Sequence, residues 1–333
     1  MSETRYDVLT IGNAIVDILA QTDDDFLVRE GLIKGSMRLI DQEEADRLYD
    51  HMGPTQMISG GCAGNTAAGV ASFGGRAAFI GKVASDEAGG FFRHDMKSTG
   101  IAFPTADLTT GISTGRSMIL ITPDTERTMN TFLGACQELT PQDIDRETVE
   151  GAAITYLEGY LWDPPKAKEA FVEASLIAHG AGRKVAITLS DSFCVDRYRD
   201  EFLELMRTGK VDIVFANNHE VLALYQTSDF DAAVEALSED VSLAAVTMGA
   251  EGSMVVDGSK RVRVPAPPVD EIVDKTGAGD LFASGFLHGL ARGASHAECA
   301  ALGSIAAGEI LKHVGARPQH SLKERAEQEG LRI

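Results

Sequence analysis

From residue 141 onward, two patterns of apolar and polar positions alternate along the chain. Short continuous apolar runs indicate buried strands, and longer runs with an apolar residue every third or fourth position indicate helices. The predicted strands are 153–158, 184–190, 211–216 and 243–248. The predicted helices are 165–180, 196–208, 218–226, 230–239, 277–292 and 295–313. This alternation predicts a three-layer α/β domain, in which helices cover both faces of a mainly parallel central sheet.

The first third of the chain interrupts this alternation. Residues 7–12 form a β-rich run that ends in Gly and is typical of a buried strand, but the segments at about 13–40 and 101–133 are β-rich and polar on one side. Strands with a polar side do not suit a sheet that is covered on both faces, so we expect them to form a small separate sheet. We therefore predict one domain over residues 1–333, with the small sheet standing off the main body.

The charge balance argues against one class of partner. The 333 residues include 30 basic and 50 acidic side chains, a net charge of −20 at pH 7. Without a basic surplus to displace phosphate counterions, the protein is not expected to bind nucleic acid. The same negative charge repels polyphosphates, so a phosphate site would depend on local backbone amides, a few cations and Mg²⁺.

Cysteine usage and hydropathy bear on location. The four cysteines are scattered and form no Cys-x-x-Cys pair, which is typical of proteins in a reducing compartment. No apolar run approaches transmembrane length, and the first seven residues are polar, so we expect no export signal and no membrane anchor. These features favour the cytoplasm. They do not distinguish a monomer from a homodimer.

The stretch Asp274–Asp280 reads Asp-Lys-Thr-Gly-Ala-Gly-Asp and leads into the predicted helix 277–292. Its small residues let the backbone approach an anion closely, and the free amides of a first helical turn favour negative charge. A carboxylate at position 280 gains nothing beside a phosphate that is merely bound. It makes sense if it must hold and deprotonate a hydroxyl that attacks the phosphate. The simpler alternative is that Asp280 only complements the helix dipole.

This stretch resembles the second signature of the ribokinase-like (PfkB-type) carbohydrate and nucleoside kinases, Asp-Thr-x-Gly-Ala-Gly-Asp. The resemblance implies a ribokinase-like fold and an ATP-dependent kinase, in which Asp280 is the catalytic base. The anion hole for the transferred phosphate would comprise Gly277, Ala278 and Gly279. Lys275 departs from the family, which usually has a small residue or Thr at this place. Because a helix N-terminus stabilises a carboxylate, we expect a lowered pKa for Asp280, which a loose transition state tolerates.

Two further pieces resemble the substrate site of this family. Gly60 and Gly61, followed by Asn65, match the first signature, Gly-Gly-x-x-x-Asn. Two glycines admit a ligand to the backbone, and an Asn can bond two sugar hydroxyls, although the pattern also suits a helix cap. Asn13 and Asp17 lie in an apolar segment that resembles the opening of adenosine kinases. A buried carboxylate needs partners, and two vicinal ribose hydroxyls would satisfy Asp17.

Other motifs imply a nucleotide site. Asn217 and Glu220 begin a predicted helix and resemble the Asn-x-x-Glu motif of the family, which orders Mg²⁺, its waters and the phosphates of ATP. Glu220 would then act on the metal through water. The same spacing forms a capping box, and both roles are compatible. The remaining ATP contacts that the resemblance implies are Thr247, Gly249, Gly252, Thr276 and Gly315.

A monovalent cation site is left open. The loop 314–316 resembles the one that holds such a cation, together with the region around Asp274 and Thr276, in ribokinase-type members. Lys275 departs from the signature at this place, and its ammonium group could supply a positive charge instead. K⁺ is therefore a possible cofactor rather than an implied one.

The substrate is predicted from the lid. Residues 126–135 resemble the lid of adenosine kinases, and the small sheet would close over the substrate and exclude water. Met129, Leu133, Tyr160 and Trp162 could form an apolar slot for a purine, or could be ordinary core. We predict ATP-dependent phosphorylation of the 5′-hydroxyl of a purine nucleoside. The alternatives are a kinase of ribose, fructose or a related sugar, and a non-catalytic nucleoside-binding protein.

Overall fold

The strands of the computed structural model, which describes residues 4–331, lie in two separate sheets. They are β1 Tyr6–Ile11, β2 Ile15–Gln21, β3 Met37–Leu39, β4 Thr55–Ser59, β5 Ala77–Ile80, β6 Gly115–Ile121, β7 Arg127–Phe132, β8 Ala152–Glu158, β9 Lys184–Thr188, β10 Ile213–Asn217, β11 Leu243–Thr247, β12 Ser253–Asp257 and β13 Lys260–Val264. Our expectations for residues 1–3 and 332–333 lie outside the described part of the chain.

The larger sheet has eight strands in the order β13-β12-β11-β10-β9-β8-β1-β5. Neighbouring strands are parallel from β11 to β5, and antiparallel pairing is confined to β11–β12 and β12–β13. Every residue of β1 and β5 is buried, which explains why these strands are rich in apolar residues. The predicted mainly parallel central sheet is confirmed. Its parallel strands all end at one edge, where ligand sites of open α/β sheets lie.

Helices cover both faces of this sheet. The helices of the described chain are α1 Asp24–Glu30, α2 Gln42–His51, α3 Cys62–Ser72, α4 Glu87–Ser98, α5 Arg146–Gly151, α6 Pro165–Gly180, α7 Ser192–Arg207, α8 Asn218–Tyr225, α9 Phe230–Asp240, α10 Ala278–Ala291, α11 His296–Ile310 and α12 Leu322–Gln328. Strand side chains alternate between two cores. Val214 packs with α6–α9 on one face, and Phe215 packs with α3, α10 and α11 on the other. These are the three layers predicted from the sequence.

The small sheet has five strands in the order β3-β7-β6-β2-β4. One of its faces is apolar and packs against Phe26 of α1 and Leu48 of α2. The register pairs Leu19 with Ile119 and Ile119 with Met129, so these three side chains share the opposite face. Asp17 and Arg127 lie two residues from Leu19 and Met129, respectively, and therefore point to this second face as well.

Most predicted elements are present, and α6 coincides with the predicted helix 165–180. β2, β3, β6 and β7 confirm that the two β-rich segments form a separate sheet. We missed β4, which is largely exposed or half-buried, and the hairpin of β12 and β13. The hairpin turns at Gly258, which has a positive φ of 55°, and an Asp-Gly pair between alternating runs was a usable signal for it.

Within residues 4–331, no helix is both long enough and apolar enough to cross a lipid bilayer.

Candidate active site

Asp280 lies in the first turn of α10 and contacts α3. Its Oδ2 accepts a hydrogen bond of 2.9 Å from Nδ2 of Asn65. Its carbonyl oxygen accepts a bond of 3.2 Å from Oγ1 of Thr66, and the Cys62 thiol donates to its carboxylate. The two signature motifs, whose polar residues Asn65 and Asp280 stand 215 positions apart, therefore meet at one place.

The side-chain amide of Asn65 uses its nitrogen in this contact, and its oxygen remains unpaired among the described residues. The residue is only 4% exposed, and its Oδ1 has no hydrogen-bond partner within the described residues. A buried acceptor without a donor costs free energy, so such an atom is expected to receive a hydrogen bond from a ligand. Since Nδ2 of the same amide is held by Asp280, Oδ1 is fixed beside the carboxylate and could accept from a hydroxyl placed there.

Burial decides the protonation behaviour of Asp280. Removal from water raises its pKa above the ordinary value, and hydrogen bonds from Asn65 and Cys62, with the charge of Arg317, offset this only in part. Our expectation of a lowered pKa was wrong, because the sequence shows the helix N-terminus but not the depth of burial. A raised pKa makes Asp280 a stronger base than an exposed aspartate.

The turn before Asp280 offers free backbone donors. Gly277 has a φ of 80° and caps α10, and a Cβ on it would lie 2.5 Å from Cβ of Ala316. The amide of Ala278 donates to the carbonyl of Lys275 at 3.2 Å. The amides of Gly277 and Gly279 have no acceptor within residues 4–331, and the space beside Gly279 is open. Two of the three predicted anion-hole residues thus present unused N–H groups.

Gly60 and Gly61 make room for protein atoms. A Cβ on Gly60 would lie 2.5 Å from Oδ2 of Asp17, and one on Gly61 would lie 2.1 Å from the carbonyl oxygen of Asn13. Gly61 also has a φ of 81°. We had expected these glycines to admit a ligand to the backbone. They instead let the start of α3 pack against the segment that carries Asp17.

Asp17 faces the same space as Asp280. Burial raises the pKa of Asp17 to about 7; the charges of Arg317 and Arg127 lower it, and those of Asp274 and Asp280 raise it further. These groups come from the small sheet, the Asp274–Asp280 turn and the C-terminal loop, so Asp17 lies where the three meet. A half-buried carboxylate in this place is suited to binding hydroxyl groups.

Glu158, at the end of β8, is a site residue that sequence reasoning missed. It is 1% exposed, and its carboxylate accepts from Nδ2 of Asn13 at 2.7 Å and from the amide of Ala63 at 2.9 Å. Burial raises its pKa to about 7. The side-chain nitrogen of Asn13, which we predicted to bind substrate, is therefore held by Glu158. The signal would have been a lone Glu at the end of an otherwise apolar strand.

A guanidinium group lies at the predicted cation loop. Oδ2 of Asp274 accepts from the amide of Gly315 at 3.0 Å and pairs with Nη2 of Arg127 at 2.7 Å, and Oδ1 accepts from the amide of Thr276. Nη1 of Arg127 also donates to Oγ1 of Thr276. Lys275, to which we had given this charge, is exposed. Because Asp274 is already neutralised and bonded at both oxygens, it does not fit a role as the anionic ligand of K⁺.

The predicted nucleotide residues line the ends of β10 and β11. Asn217 pairs with Thr247 across the sheet. Asn217 caps α8 and forms a complete capping box with Glu220, as the simpler interpretation required. Glu220 is buried, which raises its pKa to about 7, and both of its oxygens accept from Asn217.

The two glycines of the loop between β11 and β12 have different roles. Gly249 has a φ of 59° and open space beside it, where a nucleotide could approach. Gly252 has a φ of 95°, and a Cβ on it would lie 2.1 Å from the carbonyl oxygen of Val264. Gly252 therefore serves the packing of this loop against β13.

Whether this site could hold Mg²⁺ depends on the residues around Glu220. Within residues 4–331, no group of three His, Cys, Asp or Glu side chains is placed to hold a metal ion. Glu220 has two lone-pair positions left after the capping box, which suits a hydrogen bond to metal-bound water. The donor set fits a Mg²⁺ that arrives on phosphates and keeps its waters, as this ion prefers.

The residues of the predicted purine slot differ in their surroundings. Met129 packs with Leu19, Ile119 and Ile121 on the second face of the small sheet. Tyr160 is 37% exposed and donates from its hydroxyl to Asp191 at 2.9 Å. Leu133 is half-buried, at the end of the small sheet.

Trp162 does not belong to the slot. It is buried among Phe171 and Phe202, and its Nε1 donates to Glu201. Its assignment to the slot was wrong, and the alternative of ordinary core is correct.

The fold and this edge of the central sheet define an ATP-dependent kinase that phosphorylates an alcohol group. Residues 32–322 match the family model described as pfkB family carbohydrate kinase. The chain belongs to this family, as the two signature motifs indicated.

Known proteins resemble the chain over nearly its whole length. An adenosine kinase of Sinorhizobium meliloti is 58% identical, with a TM-score of 0.91 over 98% of this chain and 99% of that one. A probable sugar kinase of Rhizobium etli CFN 42 is 53% identical, with a TM-score of 0.92 over 99% and 100%. An adenosine kinase of Saccharomyces cerevisiae is 26% identical over 92% of this chain and 95% of its own length.

Proposed function

We propose that the protein transfers the γ-phosphoryl group of ATP to the 5′-hydroxyl of a purine nucleoside, with adenosine as the first candidate. The observation that carries the proposal is the hydrogen bond from Asn65 to Asp280, which fixes a buried acceptor and a half-buried base side by side. A hydroxyl placed there would donate to one of them and lie next to the free amides of Gly277 and Gly279. This is the arrangement that in-line phosphoryl transfer requires.

Each group then has a role in the reaction. Asp280 accepts the proton of the attacking hydroxyl as the oxygen–phosphorus bond forms and the bond to ADP breaks. The amides of Gly277 and Gly279 donate to the oxygens of the transferred phosphoryl group. Asp17 accepts from the ribose hydroxyls and thereby sets the distance of the 5′-hydroxyl from Asp280.

The nucleotide and its metal would bind along the ends of β10 and β11. Asn217, Thr247 and Gly249 would contact the nucleotide there, and Thr276 and Gly315, which lie beside Asp274 and Arg127, would contact its phosphates. Glu220 would hold Mg²⁺ through a water molecule, and when bound the ion offsets negative charge on the phosphates. The four cysteines are all free, which supports a location in the reducing cytoplasm.

The small sheet favours a nucleoside over a free sugar. Its second face carries Asp17, which suits a ribose, and beside it the apolar group of Leu19, Ile119, Ile121 and Met129. A free sugar has no apolar part to cover such a surface, whereas a purine does. The same contacts would let the small sheet act as a lid that closes when the base is bound. The similarity to the Sinorhizobium meliloti adenosine kinase supports this choice.

A substrate screen tests the proposed function. With purified protein, ATP and Mg²⁺, we expect kcat/KM for adenosine to exceed that for ribose or fructose by roughly 100-fold, because burial of the purine contributes about 2–3 kcal/mol. ADP release by a coupled assay measures the rate, and ³¹P NMR identifies the phosphorylated product. 5′-Deoxyadenosine is the control. It should compete with adenosine but not turn over, since it lacks the attacking hydroxyl. A preference for ribose or fructose would assign a sugar kinase instead.

The ion pair of Arg127 with Asp274 leads to a second expectation, since it supplies positive charge where a monovalent cation would otherwise be needed. Turnover should therefore change by less than about twofold when K⁺ is replaced by tetramethylammonium at equal ionic strength. Initial rates after extensive dialysis measure this. A rise of about tenfold or more on adding K⁺, with no response to Li⁺, would show that a cation site forms despite the ion pair.

A further inference from the structure

Arg317 is a half-buried charge that the proposed mechanism does not use. It lies in the C-terminal loop, two residues after Gly315, which bonds Asp274. Burial lowers its pKa, as expected when a cation is taken out of water. A buried guanidinium is retained only where it is well bonded, so its partners indicate what it does.

The guanidinium bonds two backbone carbonyls that bracket the first signature. Its Nε donates to the carbonyl of Ser59 at 2.9 Å, and its Nη1 donates to the carbonyl of Gly64 at 2.8 Å. Ser59 ends β4 of the small sheet, and Gly64 lies in the first turn of α3. A Cβ on Gly64 would be 3.1 Å from Nη2 of Arg317, so this approach is close. One planar group thus holds both ends of the turn that precedes Asn65.

The same charge acts on the carboxylates of the site. Arg317 interacts favourably with Asp17 and with Asp280, and also with Asp95 of α4. Arg317 acts on both Asp17 and Asp280, whereas Arg127 acts on Asp17 and pairs with Asp274. The other ionisable groups that interact with Asp17 or Asp280 are Cys62, Tyr156, Glu158, Tyr160 and Asp274.

We propose that Arg317 is a positioning residue of the phosphoryl-transfer site. Its guanidinium fixes the segment from Ser59 to Asn65, and its charge favours the ionised forms of the hydroxyl-binding and base carboxylates. This role rests on the proposed function, because it gives Asp17 and Asp280 their tasks. Two carboxylates in one space repel each other, and a nearby cation offsets this repulsion and lowers the pH at which they ionise.

Three variants test this role. Arg317→Met removes the charge and both hydrogen bonds. Arg317→Lys retains the charge but lacks the planar guanidinium that bonds two carbonyls at once. Arg292→Met is the matched control, since Arg292 pairs with Asp7 at 3.0 Å near the amino end of β1, away from the site. We would measure kcat and both KM values across pH 5.5–9, the dissociation constant of adenosine by calorimetry, and the melting temperature.

For Arg317→Met, we expect the KM and dissociation constant of adenosine to rise by about tenfold or more, with the KM for ATP changed by less than about threefold. The acidic limb of its pH profile should move up by roughly one unit, because the carboxylates lose their cation. Arg317→Lys should keep the wild-type acidic limb while the KM for adenosine rises. Arg292→Met should lower the melting temperature at most.

Arg317→Met with a wild-type pH profile and only a lower melting temperature would reduce Arg317 to a structural residue. If this variant does not fold, an unchanged KM for adenosine in Arg317→Lys overturns the positioning role. Failure of the proposed function would look different. Wild-type protein that neither binds nor phosphorylates a nucleoside or sugar would overturn both proposals, whereas active wild-type protein with unaffected variants overturns this one alone.

Discussion

Changing Asp280 to Asn should lower kcat by about 10²- to 10⁴-fold, the usual contribution of a general base. Asparagine has the same shape and can still accept from Nδ2 of Asn65, so the local packing is retained. It cannot take up the proton of the attacking hydroxyl. Binding of ATP, measured by calorimetry, should change little, because the free amides of Gly277 and Gly279 remain.

Asp270→Asn is the matched control for this experiment. Asp270 is exposed and stands ten positions before Asp280, so the same chemical change there should leave kcat within about twofold of wild type. Melting temperatures of both variants should match the wild-type value to within a few degrees. Near-normal turnover by Asp280→Asn would remove this residue from proton transfer.

Changing Asp17 to Asn should raise the KM for adenosine by roughly 100-fold and leave the KM for ATP nearly unchanged. A hydrogen bond to a charged acceptor contributes about 1.5–3 kcal/mol, and Asp17 is proposed to accept from two ribose hydroxyls. The position on the second face of the small sheet, with no competing hydrogen bond from the described residues, leaves its oxygens available. Steady-state kinetics with each substrate varied in turn measures the effect.

A cycle with altered substrates separates binding from folding in this variant. In wild-type protein, 2′-deoxyadenosine and 3′-deoxyadenosine should each bind more weakly than adenosine, and in Asp17→Asn that penalty should largely vanish. Asp25→Asn, at an exposed position of α1, is the control and should show wild-type discrimination. Equal losses for adenosine and ATP in Asp17→Asn would indicate a folding defect instead.

The layered fold could be predicted because its central strands are buried on both faces. β10 and β11 each begin with four apolar, buried residues for this reason, and they alternate with helices along the chain. The elements at sheet edges could not be read so easily. β4 and β13 have exposed and half-buried positions that mix polar and apolar residues, so their pattern does not differ from that of a loop.

Some residues of the candidate site could be predicted from the sequence, and others could not. Asn65 and Asp280 were predicted as partners in one site because each lies in a local motif that implies its chemistry. Glu158 and Arg317 lie in no such motif, and their partners Ala63 and Ser59 are 95 and 258 positions away. Burial raises the pKa of Asp280 and places Trp162 in the core. Both effects depend on packing in three dimensions, which the spacing of residues along the chain does not show.

The most direct test is a crystal structure with adenosine and a non-hydrolysable ATP analogue bound together. We expect the 5′-hydroxyl about 3 Å from an oxygen of Asp280, in line with the γ-phosphorus, with the amide of Gly277 or Gly279 donating to a γ-phosphate oxygen. A complex in which Asp280 points away from the hydroxyl, or in which those amides bond only protein atoms, would contradict phosphoryl transfer at this site.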